Sequence, residues 1–148
     1  MQTLRRQGRA YALQLLYLAE IDATSDAEAR ERFWWKGRAS KKARAFATEL
    51  VETTLAHQER IDHTLAATLE HWKLMRLPVV VRNLLRLSVC EMLVIGTQPD
   101  PVVMNEAVEL TRTYMDDDSA RFVNSVLEKV RLYRDVSAAG VPAAAESV

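Results

Sequence analysis

The sequence contains only one cysteine, Cys90, in 148 residues. A single cysteine cannot form an intramolecular disulfide, and it cannot supply a metal site built from several cysteines. Chains without disulfides are typical of reducing compartments, so the sequence predicts a cytoplasmic protein. Because Cys90 lies in an apolar stretch with no base nearby in the sequence, we expect an inert buried thiol.

Glycine and proline are also scarce, with four of each, whereas hydrophobic residues make up 49% of the chain. This composition favours a helical globular protein over a turn-rich β fold. No stretch reaches the roughly 18 uninterrupted apolar residues of a membrane-spanning helix. The basic and apolar start lacks the small-residue cleavage site of a signal peptide. We therefore expect a soluble protein with no membrane contact.

The length suits one domain, which we place at residues 1–135. Residues 136–148 are rich in alanine and serine and also contain glycine and proline, so they are predicted to form a flexible tail.

Apolar residues recur at helical spacing along most of this domain. Helices are predicted at residues 4–21, at 27–35, over 43–72 with a break near 60–62, from Pro78 to Gly96, over 104–114, and after Asp116. Ser40 is a candidate N-cap, and the acidic run 116–118 would complement the dipole of the last helix. The fold class is therefore all-α, a compact helical bundle of about six or seven helices around one core.

Catalytic and metal-binding patterns are not found in the sequence. The histidines His57, His63 and His71 are six and eight positions apart, which does not match a zinc-binding pair on one helix face. We interpret them as solvated or core-edge side chains. The sequence also has no nucleophile elbow and no dinucleotide fingerprint, so we expect no enzymatic activity and no metal.

Charge is balanced overall, with 20 basic and 20 acidic residues, but it is unevenly distributed. No acidic residue precedes Glu20, and a second basic run covers residues 36–44. We interpret this run as a solvated face, with auxiliary phosphate contact as the alternative. For Trp34 and Trp35, burial of at least one ring is favoured over base stacking.

Three stretches, in this order, resemble the NusB family of bacterial transcription antitermination factors. They are RRQGRAYALQLLY at residues 5–17, LLRLSVCEML at 84–93, and the pair PVVMNEAVEL at 101–110 with SARFVNSVLEK at 119–129. The resemblance implies an all-α fold without cofactor or catalysis. It also implies partners: members pair with the ribosomal protein NusE, and the pair binds the single-stranded boxA element of ribosomal RNA transcripts and helps RNA polymerase read through terminators.

The same resemblance implies which residues make these contacts. RNA contact falls on Arg5, Arg6, Arg9, Asp118, Arg121, Phe122 and Asn124, and protein contact falls on Tyr17, Ile21 and the helix around Val81. A protruding arginine turn would neutralise phosphates, and the groups on the last helix would recognise bases. Two alternatives stay open. One is packing of Phe122 in the core, and the other is that Asn124 and Asn105 tie helices together by buried hydrogen bonds.

Three positions depart from the family pattern, and one of them, Ser125 in place of a glycine, is a mild change inside a helix. Gln7 stands where a third arginine is frequent, and Val81 replaces the acidic residue that usually precedes Arg82. They motivate an alternative function, a helical protein-interaction module with weak or nonspecific RNA binding. An enzyme fragment ranks last: some ribosomal RNA methyltransferases carry such a domain, but this chain has no nucleotide-binding domain. The sequence leaves a homodimer open.

Overall fold

The computed structural model describes residues 4–21, 40–69 and 73–138, and in these ranges the protein is helical without any strand. Six α-helices are present there: α1 at Leu4–Ile21, α2 at Lys41–Ala56, α3 at Gln58–Thr68, α4 at Val79–Cys90, α5 at Asp100–Tyr114 and α6 at Asp117–Ala138. A short 3₁₀ turn, Leu74–Arg76, precedes α4. The predicted all-α bundle is confirmed.

Local capping signals place several helix ends where the sequence predicts them. The Ser40 hydroxyl oxygen accepts a hydrogen bond from the backbone N–H of Ala43 at 3.2 Å and caps α2. Gly96 ends the middle helical segment with φ of 65°, a left-handed conformation that favours glycine. Asp116 caps α6, since its Oδ1 accepts from the Ser119 N–H at 2.7 Å.

The break between α2 and α3 falls at His57 and not at the predicted 60–62. The imidazole Nδ1 of His57 lies 3.0 Å from the Thr53 carbonyl oxygen, which also accepts the His57 backbone N–H at 3.1 Å. This local side-chain contact competes with helix continuation. The spacing of apolar residues does not reveal the break at His57, because α2 and α3 continue the same apolar stripe.

Helix α4 lies at the centre of the bundle and contacts each of the other five described helices. Helix α4 continues into a π-helical segment, Glu91–Ile95, and Glu91 is buried. The prediction that Val81 lies at a protein-partner surface is wrong, because this central position leaves its side chain only 3% exposed. The core around α4 is lined by leucines and valines of α1, α5 and α6.

Helix α6 continues to Ala138, so the predicted domain end at residue 135 lies inside a helix. Residues 139–148, the predicted helix at 27–35 with Trp34 and Trp35, and His71 lie outside the described residues. None of the helices in the described ranges combines the length and the apolar character needed to cross a membrane.

Candidate nucleic-acid interface

The three arginines at the start of α1 occupy different environments. Arg5 is exposed, the side chain of Arg6 is 39% exposed, and Arg9 is only 4% exposed. The guanidinium of Arg9 donates to Glu91, from Nε to Oε2 at 2.7 Å and from Nη2 to Oε1 at 2.9 Å. Arg9 is therefore a structural residue, and the expectation that it shares an exposed cluster with Arg5 and Arg6 is wrong.

Arg6 is held by α5 but stays accessible. Its Nε and Nη2 each donate to a carboxylate oxygen of Glu106 at 2.9 Å. The hydrogen bonds from Arg6 lower the pKa of Glu106, and the same pair raises the pKa of Arg6. Because the Glu106 side chain is 14% exposed and that of Arg6 39%, part of the Arg6 side chain is accessible to solvent.

Phe46 of α2 supports the same turn of α1. The guanidinium carbons of Arg5 and Arg9 each lie 6.0 Å from the centroid of its ring, a distance that allows cation–π attraction. Gly8 permits this close approach, since a Cβ at this position would lie 2.4 Å from Cδ2 of Phe46. The Phe46 ring therefore lies beside the exposed Arg5 side chain, and Gly8 leaves space for the ring.

The start of α6 presents polar groups to solvent. Asp118 and Arg121 form an exposed ion pair, with side chains 89% and 71% exposed, and Asn124 is exposed one turn further on. Phe122 is half-buried and packs against the hydrophobic core. Core packing therefore describes Phe122 better than a fully presented stacking ring, and its contact with RNA stays a prediction.

An open groove of about 620 Å³ runs between α5 and α6. Asn105 lines one side, and Arg121 with Asn124 lines the other. The suggested buried hydrogen bonds of Asn105 and Asn124 are not formed, because both side chains are exposed. The groove thus connects two predicted RNA-binding residues with Asn105, for which the sequence suggested only a hydrogen bond between helices.

A second surface lies at the end of α1. Tyr17 and Ile21, the predicted partner-binding residues, are 38% and 55% exposed and lie one turn apart. Met75 on the 3₁₀ turn is 64% exposed, and its Sδ lies 3.7 Å from Nη2 of Arg86. Arg86 also donates from Nη1 to Glu20 at 3.0 Å. Exposed apolar groups of two segments therefore flank one polar network.

Arg82 finds its hydrogen-bond partners within this polar network, so no partner protein is needed to explain this arginine. Arg82 is 5% exposed and donates to the carbonyl of Leu77 at 2.8 Å and to Glu20 at 3.2 Å from Nε. The hydrogen bond from Arg82 is the main cause of a lowered pKa at Glu20. Arg86 adds two hydrogen bonds to Asp62, at 2.8 and 2.9 Å. These arginines thus hold α1, α3 and α4 together.

Cys90 and the two described histidines, His57 and His63, lie in the environments predicted for them. Cys90 is fully buried, and this burial raises the pKa of its thiol. His57 lies at the core edge and His63 is exposed. Within residues 4–21, 40–69 and 73–138, no cluster of three or more histidine, cysteine, aspartate or glutamate side chains has the geometry to hold a metal ion.

Several supporting residues are not predicted from the sequence. They are Phe46, Met75, Glu91 and Glu106. Gly8 in the middle of a helix is a usable signal for Phe46, because glycine inside a helix indicates close approach of another group. A lone glutamate in the apolar segment 84–95 is a signal that Glu91 needs a buried partner.

Comparison with known proteins supports the resemblance in both sequence and structure. The NusB family model matches residues 6–131. The chain is 42% identical over 123 residues to the transcription antitermination protein NusB of Heliobacterium modesticaldum, covering 83% of this chain and 60% of that protein. It is 38% identical over 136 residues to NusB of Geobacter sp. (strain M21), covering 86% and 94%.

A solved structure is similar over nearly the same extent. It is the crystal structure of antitermination factors NusB and NusE in complex with double-stranded RNA, and its matched chain is 30% identical. The TM-score is 0.76, with 88% of this chain and 97% of that chain covered. A family model that matches most of the chain, relatives of this identity and the same fold establish that this chain belongs to the NusB family.

Proposed function

We propose that this chain is a transcription antitermination factor of the cytoplasm. It binds the single-stranded boxA element of ribosomal RNA transcripts together with NusE, and it promotes read-through by RNA polymerase without a catalytic step of its own. Membership of the NusB family supports this proposal, as does the similar structure of NusB and NusE in complex with RNA. The observation that carries it is the oriented pair of accessible arginines, Arg5 and Arg6, at the start of α1.

Arg5 and Arg6 supply the contact with phosphates. Their positive charges are held by an aromatic ring and a carboxylate of neighbouring helices, so less side-chain freedom is lost when RNA binds. Neutralising phosphates releases counterions and gives affinity without sequence information. Arg121 and Asn124 at the start of α6 add contacts that distinguish bases from one another.

The end of α1 supplies the contact with NusE. Tyr17, Ile21 and Met75 are exposed apolar residues on two segments that the network of Glu20 and Arg86 joins. An apolar centre with a polar rim is the usual composition of a protein interface. Ile21→Ser is expected to weaken NusE binding, whereas Leu132→Ser, which changes an exposed leucine on α6, is the matched control and should leave it unchanged.

Fluorescence anisotropy with labelled boxA RNA and a scrambled RNA of the same length tests the proposal. Each RNA is titrated with the chain alone and with the chain plus NusE. We expect preference for boxA, and stronger preference when NusE is present. Equal affinity for both RNAs in both conditions contradicts the proposal.

One observation favours the second candidate, a protein-interaction module with weak or nonspecific RNA binding. Gln7 is uncharged and Arg9 is buried, so residues 5–9 offer RNA only two accessible arginines, Arg5 and Arg6. Unchanged RNA affinity in the double variant Arg5→Ala, Arg6→Ala would favour this candidate. Under the antitermination proposal, the small number of arginines instead makes RNA binding dependent on NusE.

A further inference from the structure

Two lysines at the start of α2, Lys41 and Lys42, carry positive charge that no carboxylate of the described ranges neutralises. Both residues are exposed. Neither forms an ion pair with any residue of 4–21, 40–69 or 73–138. The first acidic residue after them is Glu49, two turns further along α2. The two ammonium groups are therefore available to an anionic partner.

The lysines have no evident role in stabilising the fold. As exposed residues they add nothing to the hydrophobic core. A cation in the first turn of a helix also lies near the positive end of the helix dipole, which is an unfavourable position. Residues that break such a local rule are expected where a protein binds a partner.

This positive charge continues onto α1 through Phe46. Lys42 lies one helical turn before Phe46, and residues four positions apart share one face of a helix. The guanidinium carbon of Arg5 lies 6.0 Å from the centroid of the Phe46 ring. Arg5 is exposed and likewise forms no ion pair within the described ranges. Arg5, Lys42 and Lys41 thus form one basic surface that crosses from α1 to α2.

The chemistry of this surface suits phosphate better than bases. A lysine ammonium is a compact point charge on a flexible stem, and it binds an anion without requiring a fixed geometry. Ala45, the exposed residue between Lys42 and Phe46, has no side-chain group that could read the edge of a base. Contacts of this kind give affinity without sequence information.

We propose that Lys41 and Lys42 bind phosphates of the RNA that flanks the boxA element. This inference rests on the proposed function, which assigns phosphate binding to Arg5. An RNA strand that leaves Arg5 across Phe46 meets the lysines of α2 next, and this continuity favours RNA over an acidic protein as their partner. The chain therefore gains affinity from nucleotides outside boxA without reading their sequence.

The test uses anisotropy with boxA RNA alone and with boxA extended by unrelated sequence on its 5′ or its 3′ side. Titrations are made at several salt concentrations in the presence of NusE. We expect wild type to bind one of the extended RNAs more tightly than boxA alone. The double variant Lys41→Gln, Lys42→Gln should lose this gain, and its salt slope on the extended RNA should fall by about 1.4, which is about 0.7 for each phosphate contact. Its affinity for boxA alone should stay close to that of wild type.

Two further variants separate phosphate contact from changes in net charge or fold. Arg60→Gln is the matched control for Lys42→Gln, because it also removes one exposed positive charge, but on α3, beyond the opposite end of α2. It should keep the gain from the flank. Lys42→Glu places an acid in the first turn of α2, which suits the helix dipole. Its thermal midpoint should therefore not fall, although it should lose the gain from the flank.

Four results would overturn the inference. In the first, wild type binds boxA and both extended RNAs equally while it still prefers boxA to scrambled RNA, so that the proposed function stands and the flank contact fails. In the second, the double lysine variant keeps the full gain. In the third, it loses the same affinity for boxA alone as for the extended RNA. In the fourth, it loses NusE affinity and keeps the gain from the flank, which assigns the lysines to a protein.

Failure of the proposed function gives a different result. Wild type would then show no preference for boxA over scrambled RNA. A gain with length that still depends on Lys41 and Lys42 would in that case indicate nonspecific RNA contact, and it would overturn the assignment to boxA flanks.

Discussion

The arginines of the interior and those of the surface differ in how far along the chain their partners lie. Arg9, Arg82 and Arg86 are at most 5% exposed and pair with carboxylates 82, 62 and 24 positions away. Arg121 and Arg131 are much more exposed and pair with acids three positions away on the same helix. Interior pairs therefore join separate elements, whereas surface pairs leave the guanidinium free to exchange its partner.

Buried arginine pairs therefore contribute to stability, whereas exposed arginines are available for binding. Breaking a buried pair leaves an uncompensated charge in the core, but an exposed pair contributes little and is readily replaced by water or phosphate. Arg6 and Arg134 combine both properties, since their partners Glu106 and Asp100 are 100 and 34 positions away and their own side chains remain 39% and 34% exposed. We therefore expect variants of the two groups to affect different measurements.

The largest effect is expected for Arg9→Ala. Loss of the guanidinium leaves Glu91 buried and unpaired, which should lower the free energy of unfolding by about 3–5 kcal/mol. Urea unfolding followed by circular dichroism measures this change. Arg5→Ala is the control on the same helix face and should change the unfolding free energy by less than ~0.5 kcal/mol. Similar losses of unfolding free energy in Arg9→Ala and Arg5→Ala would contradict the distinction between buried and exposed arginines.

Gly8→Ala is expected to destabilise by about 1–3 kcal/mol, because the new Cβ would clash with the ring of Phe46. The ring would have to move away from Arg5, so RNA affinity should fall as well. In a Phe46→Leu background the clash is reduced, and the added cost of Gly8→Ala should shrink. An equal cost in both backgrounds would show that the glycine is needed for another reason.

Acid should weaken the link between α1 and α5. Because its pKa is lowered in the folded state, Glu106 stabilises the fold fully above its ordinary value of 4.5. That contribution is lost as pH falls through the lowered value. Stability of wild type and Glu106→Gln, measured by urea unfolding from pH 7 downward, should therefore differ most near neutral pH and converge in acid. A constant difference over this range would contradict the assignment.

The smallest effect on stability is expected for Arg121→Ala. Its ion pair with Asp118 is exposed on both sides and should contribute no more than about 0.5 kcal/mol to the unfolding free energy. Because Arg121 is proposed to contact bases, Arg121→Ala should reduce the preference for boxA over scrambled RNA and keep the salt dependence of wild type. Thermal unfolding and anisotropy on the same sample measure both quantities.

Features set by neighbouring residues were predictable from the sequence. The bounds of α1, the cap at Ser40 and the helix end at Gly96 follow from spacing and local backbone preference. The family motif identifies the family of the chain correctly. Inference from the motif wrongly places Val81 at the surface and Arg9 in the exposed cluster. A motif records which residues occur and gives no information on burial.

Contacts between distant segments were not predictable. The pairs Arg9–Glu91 and Arg6–Glu106 join residues 82 and 100 positions apart, and no local pattern connects them. The groove depends on the register of α5 against α6, which decides that Asn105 and Asn124 both line it. Spacing identifies the apolar face of each helix, but it does not show which polar residues meet across two helices.

The salt dependence of boxA affinity for wild type and for Arg5→Ala, Arg6→Ala tests the central claim most directly. Each phosphate contact with a single strand contributes ~0.7 to the slope, so the double variant should lose about 1.4. Loss of the Arg6–Glu106 pair should also lower its unfolding free energy, and circular dichroism shows whether it is still folded. An unchanged slope in a folded double variant would contradict the assignment of phosphate binding to these two arginines.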